Sequence, residues 1–205
     1  MNGAVELYPL WLRLWHWLNA LACLLLVVSG ASLHFAGSLM PFDVARTLHN
    51  AAGLAMTAAY LFYLVVNIRS GNVGYYLPTL ATLLADLTRQ SLFYGVGIFR
   101  GESQPFPCHA RRKFNPMQQV AYLLVMYAAV PVVVGTGLLY LFPGLLPDRF
   151  GAVDGLLPVA LLHYLAGVFL AAFLIGHVYL ATTGKTPLND FKHMIRGHRV
   201  GEEHP

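Results

Sequence analysis

Charge is scarce in this chain. Lysine, arginine, aspartate and glutamate together make up 11% of the 205 residues, whereas 57% are hydrophobic. A soluble globular domain carries roughly 25% charged residues, so this composition excludes that class and predicts an integral membrane protein. No polar stretch is long enough to build a hydrophobic core of its own. The sequence therefore predicts a single membrane-embedded domain over residues 1–205.

Cysteine is scarcer still. The chain has two, Cys23 and Cys108, and they form neither a CxxC nor a CxxCH motif. This excludes a zinc site or an iron–sulfur cluster built from cysteines, and also a covalently attached c-type haem. A structural disulfide between them is not expected.

Long apolar runs, in contrast, are abundant. About 20 residues of helix cross the ~30 Å hydrocarbon core of a bilayer. Four runs reach this length, at residues 10–35, 45–68, 120–142 and 157–182. The fold class predicted is therefore an all-α integral membrane protein, a bundle of four transmembrane helices.

The connection between the second and third runs contains a further near-apolar segment, residues 75–99. Asp86 and Arg89 interrupt it, so it is either a fifth span or a helix that lies on the membrane surface. Loops rich in Lys and Arg stay in the cytoplasm. With four spans and both termini inside, all 13 Lys and Arg residues except Arg46 and Arg149 lie on the cytoplasmic side. We therefore predict an interfacial helical segment between helices 2 and 3.

This orientation predicts a multi-pass membrane protein with cytoplasmic termini, which for a bacterial protein means the cytoplasmic (inner) membrane. The net charge of +4 then reflects topology and contact with anionic membrane lipid, and no nucleic-acid partner is expected. Trp11, Trp15 and Trp17, near the start of the first run, are interpreted as a belt at the membrane interface.

Four histidines inside the apolar runs lie at matching depths. His163 and His177 are 14 residues apart in the fourth run, which places them about 21 Å apart on nearly one helical face. Because the spans alternate in direction, His16 lies at the depth of His177, near the cytoplasmic side. His49 lies at the depth of His163, near the outer side. A polar ring inside a membrane span needs a partner, and these depths give each histidine one.

A histidine pair across a helix bundle is what a low-spin haem b requires, with one imidazole on each side of the iron. We therefore predict two haem b groups, one held by His16 and His177 and one by His49 and His163. Small residues near these positions would admit the flat porphyrin: Gly30, Ala51, Ala52, Gly53, Gly167 and Gly176. Two alternatives are histidines that only hydrogen-bond neighbouring spans and a metal site without haem. The latter lacks an Asp, Glu or Cys beside the histidines.

Three further polar side chains lie within reach of these sites. His34 follows His16 by five helical turns and competes with His49 as a ligand of the outer haem. We favour His49 because it is better buried, and we expect His34 to lie beside the haem or its propionates. Arg13, one turn before His16, and Arg46, three residues before His49, either bind haem propionates or extend to lipid headgroups.

The segments WLRLWHWLNA around His16 and TLHNAAG around His49, with the histidine pair of the fourth run, resemble a known family. It comprises the small four-span di-haem cytochrome b subunits of membrane-bound formate dehydrogenase, nickel hydrogenase and thiosulfate reductase, which are bacterial cytochrome b561-like. The resemblance covers nearly the whole chain and implies the same two haem pairings. Through the segment KFNPMQQ it also implies a quinone site at Asn115 and Gln119. The competing interpretation of Asn115 is a helix cap before Pro116.

The function predicted is a di-haem cytochrome b electron-transfer subunit. It links a redox partner on the periplasmic side to membrane quinone, either menaquinone or ubiquinone. The outer connections are too short to form a catalytic domain, so we expect substrate catalysis in another subunit that carries iron–sulfur clusters, several haems or a molybdenum site. One alternative is a free-standing quinone-linked cytochrome that acts on a small molecule. A non-redox transporter or anchor is the other.

Overall fold

The described residues of this computed structural model are 5–6, 8–35, 39–107, 112–182, 186 and 188–199. Cys108 lies outside them. Within these ranges, four helices are long and apolar enough to cross a membrane. They are α1 (Leu10–His34), α2 (Phe42–Arg69), α4 (Pro116–Leu141) and α5 (Leu156–Ala181), and a shorter helix, α3 (Leu83–Gly95), lies between α2 and α4 in the chain. The prediction of an all-α protein with four transmembrane helices is confirmed.

Two of the spans begin three or four residues earlier than the apolar runs predict. α2 begins at Phe42 instead of residue 45, and α4 begins at Pro116 instead of residue 120. Asp43 in the first turn of α2 and the sequence Asn115–Pro116 are start signals for a helix. Hydropathy does not register them, because it follows only the part of each helix that is continuously apolar.

α3 is the helical segment predicted between the second and third spans. Its 13 residues extend about 20 Å, which is too short for a ~30 Å hydrocarbon core. It carries both Asp86 and Arg89, and short 3₁₀ turns flank it at Asn72–Tyr76 and Gly97–Arg100. The segment therefore contains a helix and is not a fifth span, and its position on the membrane surface stays a prediction.

α4 contains one irregular turn. Residues Val125–Ala129 form a π-helical segment, and Pro131 follows it closely. A proline inside a helix has no N–H to donate, and its ring clashes with the carbonyl four residues earlier, here that of Tyr127. The wider π turn accommodates this proline without ending the span.

The chain divides into two compact units, Met1–Leu64 with Ala129–Pro205 and Val65–Ala128. In the first unit, small side chains are among the most buried on α1 and α2: Ala22, Ser29, Ala45, Ala52 and Ala59. Small side chains let transmembrane helices approach closely. They also suit an interior that must accommodate the predicted histidine and porphyrin rings. The single domain over residues 1–205 stays a prediction.

Trp15, one of the three tryptophans of the predicted interface belt, also contacts a neighbouring helix. Its indole N–H donates to the backbone oxygen of Ala59 at 2.8 Å. Its ring stacks on Tyr63 at 4.4 Å between centres, and Tyr63 is only 1% exposed. Trp15 therefore packs against α2, where a buried contact satisfies its N–H.

Short strands and a short helix complete the first unit. β1 (Val5–Glu6) pairs antiparallel with β4 (His198–Arg199), and β2 (Arg149–Phe150) pairs with β3 (Val153–Asp154) in the connection between α4 and α5. A 3₁₀ turn at Pro143–Leu145 begins that connection. The helix α6 (Asn189–Arg196) leads into β4, so the first and last strands of the described chain meet beside the start of α1.

Candidate haem and quinone sites

The four predicted ligand histidines lie in the first unit and form two pairs. His16 of α1 and His177 of α5 have ring centres 6.1 Å apart. His49 of α2 and His163 of α5 also have ring centres 6.1 Å apart. The structure thus brings together the same two pairs that membrane depth predicts.

The spacing of both pairs fits an iron held between two imidazoles. A metal–imidazole nitrogen bond is about 2.0 Å, and that nitrogen lies about 1.1 Å from the ring centre, so two rings across one ion have centres about 6 Å apart. The two separations of 6.1 Å are therefore those expected for bis-histidine ligation of haem.

A metal ion without porphyrin fits these pairs less well. Within the ranges that the structure describes, no group of three or more His, Cys, Asp or Glu side chains is placed to hold a metal ion. A protein-only zinc site needs three or four such ligands. The porphyrin of a haem itself occupies the equatorial positions and needs only axial ligands from the protein. The donor set therefore fits haem b.

Hydroxyl groups hold the rings of the His49–His163 pair. The Oγ of Ser29 lies 3.0 Å from Nδ1 of His49, and the Oγ1 of Thr136 lies 2.9 Å from Nδ1 of His163. In both rings Nδ1 is thus engaged by a neighbouring helix. Nε2 is then the nitrogen with which each ring can bind a ligand.

Aromatic side chains contact both rings of the His16–His177 pair. His177 stacks on Phe173, with ring centres 5.8 Å apart and planes 18° apart. His16 makes an edge contact with Trp17 at 5.2 Å between ring centres. Nδ1 of His16 is buried and has no hydrogen-bond partner in the described part of the chain. The two pairs therefore share a spacing, but among the described residues Nδ1 of His16 lacks the hydroxyl contact that His49 and His163 have.

His34 lies against Tyr164, the neighbour of His163 in the chain. The two rings stack with centres 4.3 Å apart and planes 26° apart. His34 is exposed, whereas the His49 ring contacts His163. This arrangement agrees with the preference for His49 over His34 as the partner of His163.

The two arginines predicted near the haem propionates have protein partners. Nη1 of Arg13 donates to the backbone oxygen of Ile195 in α6 at 2.6 Å. Nη2 of Arg46 lies 3.4 Å from the carboxylate of Asp43, and both side chains are largely exposed. Contact of either arginine with a propionate stays a prediction.

Asn115 caps the start of α4 in the second unit. Its Oδ1 accepts from the backbone N–H of Gln118 at 2.9 Å, and the side chain of Gln118 accepts from the backbone N–H of Asn115 at 3.0 Å. Its Nδ2 donates to the Tyr94 hydroxyl at 3.0 Å. With 3% of its surface exposed, Asn115 has the geometry of a capping box, which was the alternative to direct quinone contact.

Gln119 lines a cavity of about 230 Å³ in the same unit. Its Nε2 donates to the backbone oxygens of Tyr75 and Leu77 at 3.0 and 3.2 Å. Because both N–H groups are used, a ligand in the cavity can be recognised through the amide oxygen. The cavity also has charged and apolar walls, formed by Asp86, Phe106, Arg112 and Pro116 among others. It suits a small ring that carries polar oxygens.

Comparison with known sequences identifies the family. Residues 7–197 match the profile of the family described as prokaryotic cytochrome b561. The chain belongs to this family. As a prokaryotic cytochrome b561 it is a membrane electron-transfer protein, and membership implies that it binds haem b.

Two relatives match nearly the whole chain. The "Putative cytochrome YdhU" of Escherichia coli (strain K12) is 39% identical over 197 residues, which cover 95% of this chain and 74% of that protein. The "Putative protein-methionine-sulfoxide reductase subunit YedZ1" of Azospira oryzae is 28% identical over 207 residues, covering 94% of this chain and 96% of that protein. The second name describes a subunit of a reductase.

Sequence reasoning about this cytochrome missed the residues that support the ligands. Ser29, Thr136 and Gly137 were not among the predicted site residues. The available signal was a hydroxyl residue followed directly by glycine, Ser29–Gly30 in α1 and Thr136–Gly137 in α4. Tyr94 was missed as well, because nothing in the sequence connects it with Asn115.

Proposed function

We propose that this cytochrome b561 is a di-haem electron-transfer subunit that links a redox partner on the periplasmic side to the quinone pool. One observation carries the proposal. Two histidine pairs with the same separation of 6.1 Å lie in the first unit, and no third metal-binding side chain joins either pair among the described residues. One such pair would suit a single haem, and two pairs suit two.

His16 and His177 would hold one haem b, and His49 and His163 the other. Each haem, when bound, would carry one electron. The protein's part is to keep four neutral imidazoles in place inside apolar spans and to exclude water around them. The hydroxyls of Ser29 and Thr136 perform the first task at His49 and His163. Arg13 and Arg46 are the cations nearest in sequence to His16 and His49, and we retain them as candidates for propionate contact.

The quinone, menaquinone or ubiquinone, would bind at Gln119. The cavity beside Gln119 supports this assignment, since an amide oxygen can accept a hydrogen bond from a quinol hydroxyl. Asn115 would contribute by fixing the first turn of α4, and direct contact with quinone is the second possibility for it.

A separate subunit would carry the substrate chemistry. The connections between α1 and α2 and between α4 and α5 comprise residues 35–41 and 142–155, which are too few to form a catalytic domain. The name of the Azospira relative describes it as a subunit of a reductase, which is consistent with this division of labour. We propose that the partner carries iron–sulfur clusters, several haems or a molybdenum site. The partner docks on the outer face of the bacterial inner membrane, opposite the cytoplasmic termini.

A haem count tests the proposal. The purified protein should contain two haem b per chain by pyridine haemochrome assay. His177→Ala should lose only the His16–His177 haem, and His163→Ala should lose only the His49–His163 haem. His193→Ala, in α6 and outside the spans, is the matched control and should keep both. A folded but colourless preparation would refute the proposal.

Anaerobic mixing with a soluble quinol tests the link to quinone. The haems should be reduced by menadiol or by decylubiquinol, and the preferred quinol identifies the quinone type. If two haems are present but neither quinol reduces them, the quinone link is wrong while the di-haem assignment stands.

A further inference from the structure

Each ring of the His49–His163 pair contacts a hydroxyl residue followed by glycine. Ser29–Gly30 of α1 contacts His49 of α2, and Thr136–Gly137 of α4 contacts His163 of α5. In both cases the contacting residues lie on the span that directly precedes the ligand's own span in the chain. We refer to these two dipeptides as the clamps.

The direction of the hydrogen bond at the first clamp follows from its donors. A serine hydroxyl has one hydrogen to donate. Ser29 Oγ lies 2.6 Å from the backbone oxygen of Leu25, which can only accept, so that hydrogen is used there. The contact of 3.0 Å with Nδ1 of His49 must then have the imidazole as donor. His49 therefore carries its proton on Nδ1, and Nε2 keeps the lone pair that binds iron.

The second clamp gives the same result. Thr136 Oγ1 lies 2.6 Å from the backbone oxygen of Val132 and donates its hydrogen there. At 2.9 Å from Nδ1 of His163, the hydroxyl oxygen accepts. His163 is thereby fixed in the same tautomer as His49, with Nε2 available.

The glycines provide room for the rings. A Cβ atom at Gly30 would lie 3.3 Å from Cε1 of His49, and one at Gly137 would lie 3.2 Å from Cε1 of His163. Both distances are shorter than an ordinary van der Waals contact. A larger residue would push the ring away from its hydroxyl. Each clamp thus combines a hydrogen bond with a close backbone contact, which together restrict ring rotation.

Burial makes these hydrogen bonds effective. Ser29 is 0% exposed and Thr136 is 6% exposed, so water does not compete for Nδ1. In such surroundings a hydrogen bond is stronger than in water. The other pair lacks this support at His16, whose buried Nδ1 has no partner among the residues that the structure describes.

We propose that Ser29 and Thr136 are positioning residues that fix the tautomer and orientation of His49 and His163 and thereby lower the reduction potential of the haem these two hold. The inference rests on the proposed function, because it needs a haem at this pair. An acceptor on Nδ1–H makes the imidazole a more basic ligand. A more basic ligand stabilises the oxidised iron, and such hydrogen bonding is one of the means by which proteins set haem potentials.

Redox titration of single variants tests this role. Ser29→Ala and Thr136→Val remove the hydroxyl acceptors and leave the backbone oxygens of Leu26 and Val133 as the other acceptors beside the two rings. Each substitution should raise the midpoint potential of the His49–His163 haem while the other haem stays unchanged. The low-spin EPR signal of the same haem should broaden, because its ring is less restricted. The His163→Ala and His177→Ala proteins identify which signal belongs to which pair.

Two controls come from the same helices. Ser32 of α1 is buried and donates to the backbone oxygen of Val28 at 2.9 Å, so Ser32→Ala removes a comparable hydroxyl that contacts no ligand. Thr136→Ser keeps the acceptor and should retain the wild-type potential. Selective loss of the His49–His163 haem in Ser29→Ala would also support the role.

The contradicting outcomes are distinct. The inference is overturned if Ser29→Ala and Thr136→Val show the same midpoint potential and EPR signal as Ser32→Ala. It is also overturned if both haems change equally or if both are lost. In those cases a wild-type protein with two haems still supports the proposed function. A wild-type protein without haem at this pair would instead remove the proposed function itself.

Discussion

The side-chain amide of Asn115 donates to the hydroxyl of Tyr94 at 3.0 Å while its carbonyl oxygen caps the first turn of α4. One side chain therefore connects the end of α3 with the start of the third span. These two hydrogen bonds explain why an asparagine at this position is almost completely buried. They favour the helix cap over direct quinone contact, the two roles of Asn115 that the sequence leaves open.

Asn115→Ala should destabilise the protein through loss of the cap. Removal of such a cap costs about 0.5–2 kcal/mol, so the midpoint of thermal unfolding in detergent should fall. Asn115→Ser keeps a side-chain oxygen at the cap position, and we expect near wild-type stability and an unchanged KM for quinol. If Asn115→Ala and Asn115→Ser both raise the KM for quinol to the same extent, direct contact with quinone is the better interpretation.

Gln119→Leu should weaken quinol binding. The substitution removes the amide oxygen of a residue that lines the cavity. Loss of one hydrogen bond to the quinol, worth about 1 kcal/mol, corresponds to a KM increase of about five-fold. Haem content should stay at the wild-type value, because Gln119 is not close in sequence to any ligand histidine. The KM for the quinol that reduces the wild-type protein is the measurement.

Thr88→Ala is the matched control for this variant. Thr88 lies on α3 in the same unit, is exposed and donates to the backbone oxygen of Leu84 at 2.8 Å. It does not line the cavity, so its KM should equal that of the wild type. Equal KM values in Gln119→Leu and Thr88→Ala would exclude Gln119 from the quinone site.

The spans and the histidine pairs could be predicted because one-dimensional quantities determine them. Length and hydropathy identify a helix that crosses the hydrocarbon core. The rise of about 1.5 Å per residue then gives the depth of His16, His49, His163 and His177. Neither step requires knowledge of how a helix is rotated about its own axis.

The clamps could not be predicted in this way. Whether Ser29 faces His49 depends on the rotation of α1 relative to α2, and α1 is apolar around most of its circumference. The same holds for Thr136 and His163. Trp15 shows the same difficulty, because its position near the end of a span does not reveal that its side chain packs on Tyr63. Side-chain partners across helices come from packing, which hydropathy does not encode.

Gly137→Val should remove the His49–His163 haem. A Cβ at this position would lie 3.2 Å from Cε1 of His163, and the methyl groups of valine would displace the ring further. Gly135→Val is the control, since a Cβ at Gly135 meets nothing within 4 Å. Haem per chain should fall from two to one in the first variant and stay at two in the second. The same haem content in both variants would show that the ring tolerates displacement.

Arg13→Ala should loosen α6 from the start of α1. The Arg13 guanidinium donates to the Ile195 carbonyl, and Gly197, with φ +81, lies so close that a Cβ there would be 3.0 Å from Arg13 Cζ. Without this contact, trypsin should cleave after Lys192 and Arg196 several-fold faster in the detergent-solubilised protein. Arg46→Ala should leave the cleavage rate unchanged, because Arg46 forms only an exposed pair with Asp43, and such pairs contribute about 0–1 kcal/mol. Unchanged cleavage in Arg13→Ala, together with an altered potential of the His16–His177 haem, would assign Arg13 to a propionate instead.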